Sequence, residues 1–519
     1  MKPSEELFDL IKSLTKSEKR FFKLSSSLQS GNKNYLKIFS AIDKQPEYDE
    51  EALKKEFKKE TFVKHFPSEK NHLYKLILKS LRAYHSDNSV SSILKQEIKN
   101  IEILYMKSLY KECNKFLERA KKMAITHEKF YYLYELLSWE KVLLEEAYEE
   151  GEFTVDLDKL IADEKHVIEK LRNLAAYHVL YSKINYLFRS GGYSRNDKDR
   201  KVVEEISNHP LIKEKNTALS SRAATICYFI QGFCAMANRD WKVSKVKFIR
   251  VKEIFDKNDL IKKDIPKRYI RALSNLVKCD TELCDYAEAK RLMDEMDHLK
   301  SVKGFNALDV QLLIFKESKL AFLKLCQRQG RFHEGAEQIE SIIDEIELYR
   351  GRINKEQEIK FYYNFAYIYF GIGEYNKALF WINKVLNDNE TNLRQDIYGY
   401  ARVFNLVIHY ELENKELLEY IIKSTHRYLN KRNRAYEIEG LMINSFKKLA
   451  KAYSPEQERK LMKKLQPELD EVLKNDADRV ILEYFDYSAW LKSKLEKRPL
   501  GEVIAEGGRI KKPTAKQSA

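Results

Sequence analysis

Apolar side chains recur along this chain at intervals of three and four, the spacing that collects them on one face of an α-helix. They do so from Leu94 to Met106, and Cys113, Leu117, Ala120 and Ala124 make one stripe on the stretch that follows. No alternation of period two runs long enough to predict a strand. Before residue 88 the same criterion predicts shorter helices over 4–14, 17–28, 33–44, 50–57 and 68–85. Ser454 and Pro455 read as an N-cap followed by proline at the first helical position, and Gly191-Gly192 breaks the chain before a helix that starts near Lys198.

The most regular unit begins near Ile359 and carries Tyr362, Phe365, Ala366, Tyr369, Gly373, Tyr375, Ala378, Ile382 and Val385. Small residues at Ala366 and Ala378 let two antiparallel helices approach closely, and the aromatic residues fill the space between successive hairpins. These spacings resemble the tetratricopeptide repeat (TPR). Weaker echoes run through Tyr228, Gly232, Trp241, Phe248 and Val251, through Leu276, Tyr286, Ala289 and Met293, and through Phe322, Gly330, Phe332, Gly335 and Ile339.

Turn candidates at Ser108, Gly151, Gly192, Arg239, Cys284, Gly330, Gly373, Asn414 and Ser454 lie 40 to 47 residues apart, which predicts nine helical hairpins. Each is longer than the roughly 34-residue minimal TPR and overlaps the HEAT and armadillo range. The resemblance implies an all-α fold: a right-handed α-α superhelix of TPR-like hairpins over 89–497, with a helical bundle over 1–88. The layout is similar to that of bacterial TPR-containing proteins. Residues 498–519, with five Gly or Pro and five Lys or Arg, read as a disordered basic tail.

Composition agrees with a long helical core: of 519 residues 44% are hydrophobic and 12% aromatic, while only 16 are Gly and 9 Pro. Lysine and arginine exceed acidic residues by 15, which favours acidic partners, although acids are interspersed nearly everywhere, as on a solvated helical surface. Six cysteines without CxxC spacing point to small buried side chains and a reducing, cytoplasmic setting. No signal-like start and no membrane-length apolar run is present, so no membrane partner is expected.

Catalytic patterns are missing. His333-Glu334 begins a zinc-protease motif but lacks its second histidine, and there is no GxxxxGK[ST], GxGxxG or GxSxG. The acidic pairs Glu145-Glu146 and Glu149-Glu150 read as solvated charge. The expectation is a protein that is not an enzyme and needs no metal or cofactor.

Function should then reside in a surface. By resemblance to TPR superhelices, first helices line a concave groove, and the groove positions here are Lys360, Tyr363, Tyr367 and Phe370, with Phe229, Phe233, Met236, Arg271 and Lys278 elsewhere. Asn275, Asn364 and Asn405 share one repeat position from which an amide could hold an extended peptide. The same aromatic stripe also suits core packing, and both readings stand on sequence alone. The leading expectation is a scaffold for a protein or peptide partner. An alternative starts from Lys70, Lys75, Lys79 and Arg82, basic residues on the last helix of the N-terminal unit. If that unit reads DNA like a helix-turn-helix, the chain is a transcriptional regulator with a TPR-like sensor; if not, the unit caps the first repeat.

Overall fold

The computed structural model describes residues 5–27, 34–149, 156–191, 193–349, 351–387, 395–431 and 436–510. Every regular element among them is helical. The chain forms two compact units that divide between Ile168 and Glu169, so residue 88 is not where compactness breaks.

In the first unit, helices α1 (Glu6–Ser13), α2 (Lys16–Ser27), α3 (Asn34–Lys44), α4 (Glu50–Glu56) and α5 (Phe66–Tyr84) match the sequence expectation to within two residues. They close around Ile11, Phe22, Ile38, Phe39, Ile42, Leu53, Phe66, Leu73 and Ile77. Asp49 starts α4 by accepting a 2.9 Å hydrogen bond from the Ala52 amide, and Pro67 occupies the first turn of α5. Then come α6 (Val90–Tyr105), α7 (Tyr110–Thr126) and α8 (Phe130–Glu149), each packed on the next. The anticipated stripe of Cys113, Leu117, Ala120 and Ala124 is fully buried. The unit boundary falls inside α9 (Leu157–Gly191).

The second unit continues through α10 (Asp197–Asn208) and α11 (Pro210–Lys213) into a row of hairpins: α12 (Ser221–Ala237) with α13 (Trp241–Lys257), and, after the short α14 (Asp259–Asp264), α15 (Pro266–Glu282) with α16 (Tyr286–His298). Next is α17 (Leu308–Gln329), whose return helix is broken into α18 (Phe332–Glu337) and α19 (Ile339–Leu348). The row ends with α20 (Lys355–Gly371) and α21 (Tyr375–Leu386), α22 (Gln395–Glu411) and α23 (Lys415–Lys431), and α24 (Glu437–Ala450) and α25 (Pro455–Val472). First helices pack on first helices, α15 on α17, α17 on α20, α20 on α22 and α22 on α24.

One turn geometry recurs. Ser108, Arg239, Cys284, Gly330, Gly373 and Glu413 all have φ between 56° and 82°. In each case the amide of the following residue donates to the carbonyl five positions back, for example Asp240 to Ala235 at 2.9 Å, Arg331 to Cys326 at 2.9 Å and Glu374 to Tyr369 at 2.9 Å. This helix stop satisfies the carbonyls a helix end would leave bare, and it aims the chain back along the helix it has just left. Five of the predicted turn positions are these left-handed residues, and Asn414 is one residue away. Glu128, between α7 and α8, uses the same geometry without having been singled out. Gly151 and Gly192 lie outside the described residues. At Ser454 the hydroxyl accepts from the Gln457 amide at 3.2 Å and Pro455 starts α25, as the sequence suggests.

The unit around α20 and α21 packs as its pattern requires. Phe365, Ala366, Ala378, Ile382 and Val385 have no solvent exposure. Close approach also explains Gly371, where a Cβ would lie 2.2 Å from the Phe332 ring.

The tail expectation is corrected for residues 498–510. After α26 (Asp476–Arg479) and a 3-10 turn (Val480–Glu483), α27 (Tyr487–Glu496) packs on α25, and α28 (Leu500–Ile510) packs on α27 and α17. Leu500, Val503 and Ile504 fall at i, i+3 and i+4 and are buried, an amphipathic stripe that glycine and charge content had obscured. Residues 511–519 lie outside the described residues.

Candidate functional site

The first helices of the row present one stripe each to a common face. On α15 it comprises Arg268, Arg271, Asn275, Lys278 and Glu282, on α17 Lys316, Lys324 and Arg328, and on α20 Lys360, Tyr363, Asn364, Tyr367 and Phe370. The face is divided. Its half nearest the hairpin turns is covered by the chain's own residues 480–494, and this places most of the predicted aromatic groove residues in the protein interior.

Tyr363, Tyr367 and Phe370 are buried. Phe485 packs on Tyr367 at 4.8 Å and on Phe370 at 5.2 Å between ring centroids, and Tyr484 meets the Tyr363 ring at 6.0 Å and stacks on Tyr400 at 3.9 Å. The Tyr367 hydroxyl accepts a hydrogen bond from the Asp486 amide at 3.1 Å. Asn364 is used between helices, its side-chain oxygen accepting from Gln327 Nε2 at 2.9 Å, and Asn405 is buried. Farther along, Phe229 is buried and Phe233 packs against Phe188 and Phe248, while Met236 lies in the core. For these residues core packing accounts for the aromatic stripe, and over Tyr363, Tyr367 and Phe370 the cover is a distant segment that periodicity cannot show.

Charged residues at the ends of first helices grip that segment. Arg328 donates to both Glu282 carboxylate oxygens, at 2.7 and 2.9 Å, and to the Leu482 carbonyl at 3.0 Å. Arg239 donates to Glu483 Oε1 at 2.8 Å, Tyr193 donates to the other Glu483 oxygen, and Lys324 donates to the Glu483 carbonyl. Glu411 accepts from Trp490 Nε1 at 2.6 Å and from Lys494 at 2.8 Å. Burial alone would raise the Glu282 carboxyl, but the Arg328 and Lys324 charges beside it hold it at about 2. Burial and the neighbouring Arg328 push the Lys324 ammonium down to about 7. A second buried centre joins the loop after α9 to the end of the row: Arg195 donates to Glu439 at 2.8 Å, to the Tyr400 hydroxyl at 2.8 Å and to the Ala477 carbonyl at 2.6 Å. Sequence reading did not find Arg195, Glu282, Lys324, Arg328 or Glu483, since no local pattern marks a charge as buried.

No family model and no curated protein matches the chain. The functional reading therefore rests on the geometry of this face.

Its other half is not covered by the segment. Arg271 is exposed, and Asn275, Lys278 and Lys360 are partly exposed. Lys278 lies 4.8 Å from the Tyr193 ring centroid, and Lys360 pairs with Glu356 at 2.8 Å. On the N-terminal unit, Lys70 is held by Glu50 at 2.5 Å and by the Tyr48 hydroxyl at 3.0 Å. Lys75, Lys79 and Arg82 are exposed one turn apart along α5 and have no ion-pair partner among the described residues. No helix among the described residues is long and apolar enough to cross a membrane, and all six cysteines are buried and free.

Proposed function

We propose that this protein is a non-catalytic scaffold whose TPR-like row of hairpins, wound as a right-handed superhelix, binds an extended segment of a partner protein in the cytoplasm. One observation carries the reading: the first-helix face already holds a short stretch of chain, Leu482–Asp486, that leaves a 3-10 turn and is gripped through side-chain contacts to its backbone and through aromatic packing. The same stripe runs on, without that cover, to Asn275, Arg271 and Lys360. An extended peptide held by side chains of successive helices is a recurring mode of recognition, and excess positive charge favours an acidic one. Peptides selected from a random display library on the full chain should be acidic, should protect α15, α17 and α20 from amide exchange, and should bind at least about tenfold more weakly to Arg271→Gln/Lys360→Gln, a loss of about 1.4 kcal/mol. Protection confined to the second helices of the hairpins would sink the proposal.

The unpaired row of Lys75, Lys79 and Arg82 supports a second reading, a transcriptional regulator in which the N-terminal bundle contacts DNA. Phosphate contacts make such binding steeply salt-dependent. Full-length protein that is not retained on duplex DNA at low salt, or is retained equally by the triple glutamine variant of those residues, removes this reading.

A further inference from the structure

The uncovered half of the first-helix face contains cations that the fold does not neutralise. Arg268 and Arg271 stand one turn apart near the start of α15. Lys316 belongs to α17, packed against α15, and is buried. Arg268 is partly exposed. Neither Arg268 nor Lys316 has a side-chain hydrogen bond or ion pair among the described residues, and Arg271 has none either. Three acids of the neighbourhood are committed to other cations, Asp264 to Arg222, Asp309 to Lys267 and Glu356 to Lys360; Glu317 accepts from the Ser274 hydroxyl and its charge acts on Lys316, which leaves the cluster with an excess of positive charge.

Folding has thus brought like charges together and withdrawn part of their water, which is unfavourable unless something compensates. Burial, with Arg222 and Arg271 nearby, brings the Arg268 guanidinium down to about 10, and burial together with Lys360, Arg271 and Lys267 lowers the Lys316 ammonium against the opposing charge of Glu317. Structural ion networks elsewhere in this chain do the opposite: Arg195, Arg239 and Arg328 each meet a carboxylate. The cluster at Arg268 has the composition of such a network with too few anions for its cations.

We propose that Arg268, Arg271 and Lys316 form a binding site for a doubly charged oxyanion of the phosphate class, presented on the face that we read as peptide-binding and resting on that reading. Two guanidinium forks at adjacent turns suit the several oxygens of a phosphate, and Lys316 adds a point charge. Three cations match a dianion better than a single carboxylate. The same chemistry is offered by free phosphate and by a phosphorylated side chain of a partner segment.

The test uses the full chain in chloride buffer, with inorganic phosphate titrated by calorimetry and followed by thermal melting. The parent should gain Tm with phosphate, and Arg271→Gln, an exposed substitution, should weaken phosphate binding at least tenfold. Arg268→Leu should melt above the parent without phosphate and gain nothing when phosphate is added, because the substitution removes an uncompensated charge. A purely structural arginine would show the reverse, a lowered Tm. A phosphoserine peptide that binds more tightly than inorganic phosphate assigns the oxyanion to a partner segment, and equal affinity assigns it to the free ion. Absence of phosphate stabilisation in the parent, equal stabilisation of Arg268→Leu, or a lowered Tm of that variant overturns the site. Selection of unphosphorylated peptides from the display library needs no phosphate, so it can succeed or fail independently.

Discussion

Gly330 and Gly501 meet backbone to backbone: a Cβ on Gly330 would lie 2.0 Å from the Gly501 carbonyl oxygen, and one on Gly501 would lie 2.6 Å from the Gly330 carbonyl oxygen. The turn of one hairpin thereby receives the start of the last helix, α28. Gly330→Ala must accommodate both this overlap and a φ of 69°, and should cost about 2–4 kcal/mol. Gly501→Ala meets only the overlap and should cost about 1–3 kcal/mol. Denaturant unfolding gives both values, and amide exchange should show α28 opening first in Gly501→Ala.

The Glu282–Arg328 pair supports the covering segment through the Arg328 bond to the Leu482 carbonyl. Removing one charge leaves the other desolvated, so Glu282→Gln or Arg328→Gln should each lose about 3–5 kcal/mol. A double variant, Glu282→Leu/Arg328→Met, should lose less than the two single losses combined. Additive losses in a double-mutant cycle would show that the two residues act separately.

Lys324 and Asp280 should give stability opposite dependences on pH. Lys324 is held at about 7 against an ordinary 10.5, so the folded chain binds fewer protons than the unfolded chain between these values. Its contribution is complete above 10.5 and is lost as pH falls through 7; Lys324→Met should flatten the rise of stability over that range in urea melts. Burial pushes the Asp280 carboxyl up to about 6 from 3.8 even though Lys245 is 2.5 Å away. That contribution is complete below 3.8 and is lost as pH rises through 6, and Asp280→Asn should abolish it.

Gly371 and Phe332 test the close packing of α20 against α18. Alanine at Gly371 would put its Cβ 2.2 Å from Phe332 Cγ, and about 1–3 kcal/mol of destabilisation is expected. Phe332→Leu removes the ring, so Gly371→Ala should cost less in that background. An unchanged cost would place the strain elsewhere.

Periodicity and turn chemistry are local properties, and they made the helices, most hairpin turns and the core positions of the α20–α21 unit legible: a residue such as Ala366 or Ala378 is small because its own neighbours approach closely. The candidate face was legible only in part. Arg271 and Lys360 are on it and uncovered, whereas Tyr363, Tyr367 and Phe370 are on it and buried. One signal was available, for residues 365–370 of α20 are buried in an unbroken run, and a helix that is apolar on every side is expected to be enclosed on every side. That run implied a cover without identifying it.

What the sequence by itself determined is therefore an all-helical chain of hairpins with a separate pattern before residue 88. Only the tertiary structure decided that residues 480–494 lie across the first helices, that residues 500–510 form a docked helix, and that Arg268 and Lys316 make no ion pair among the described residues. The physical reason is range: the Tyr367 hydroxyl receives its hydrogen bond from Asp486, 119 residues away, and no three- or four-residue spacing carries information about so distant a partner.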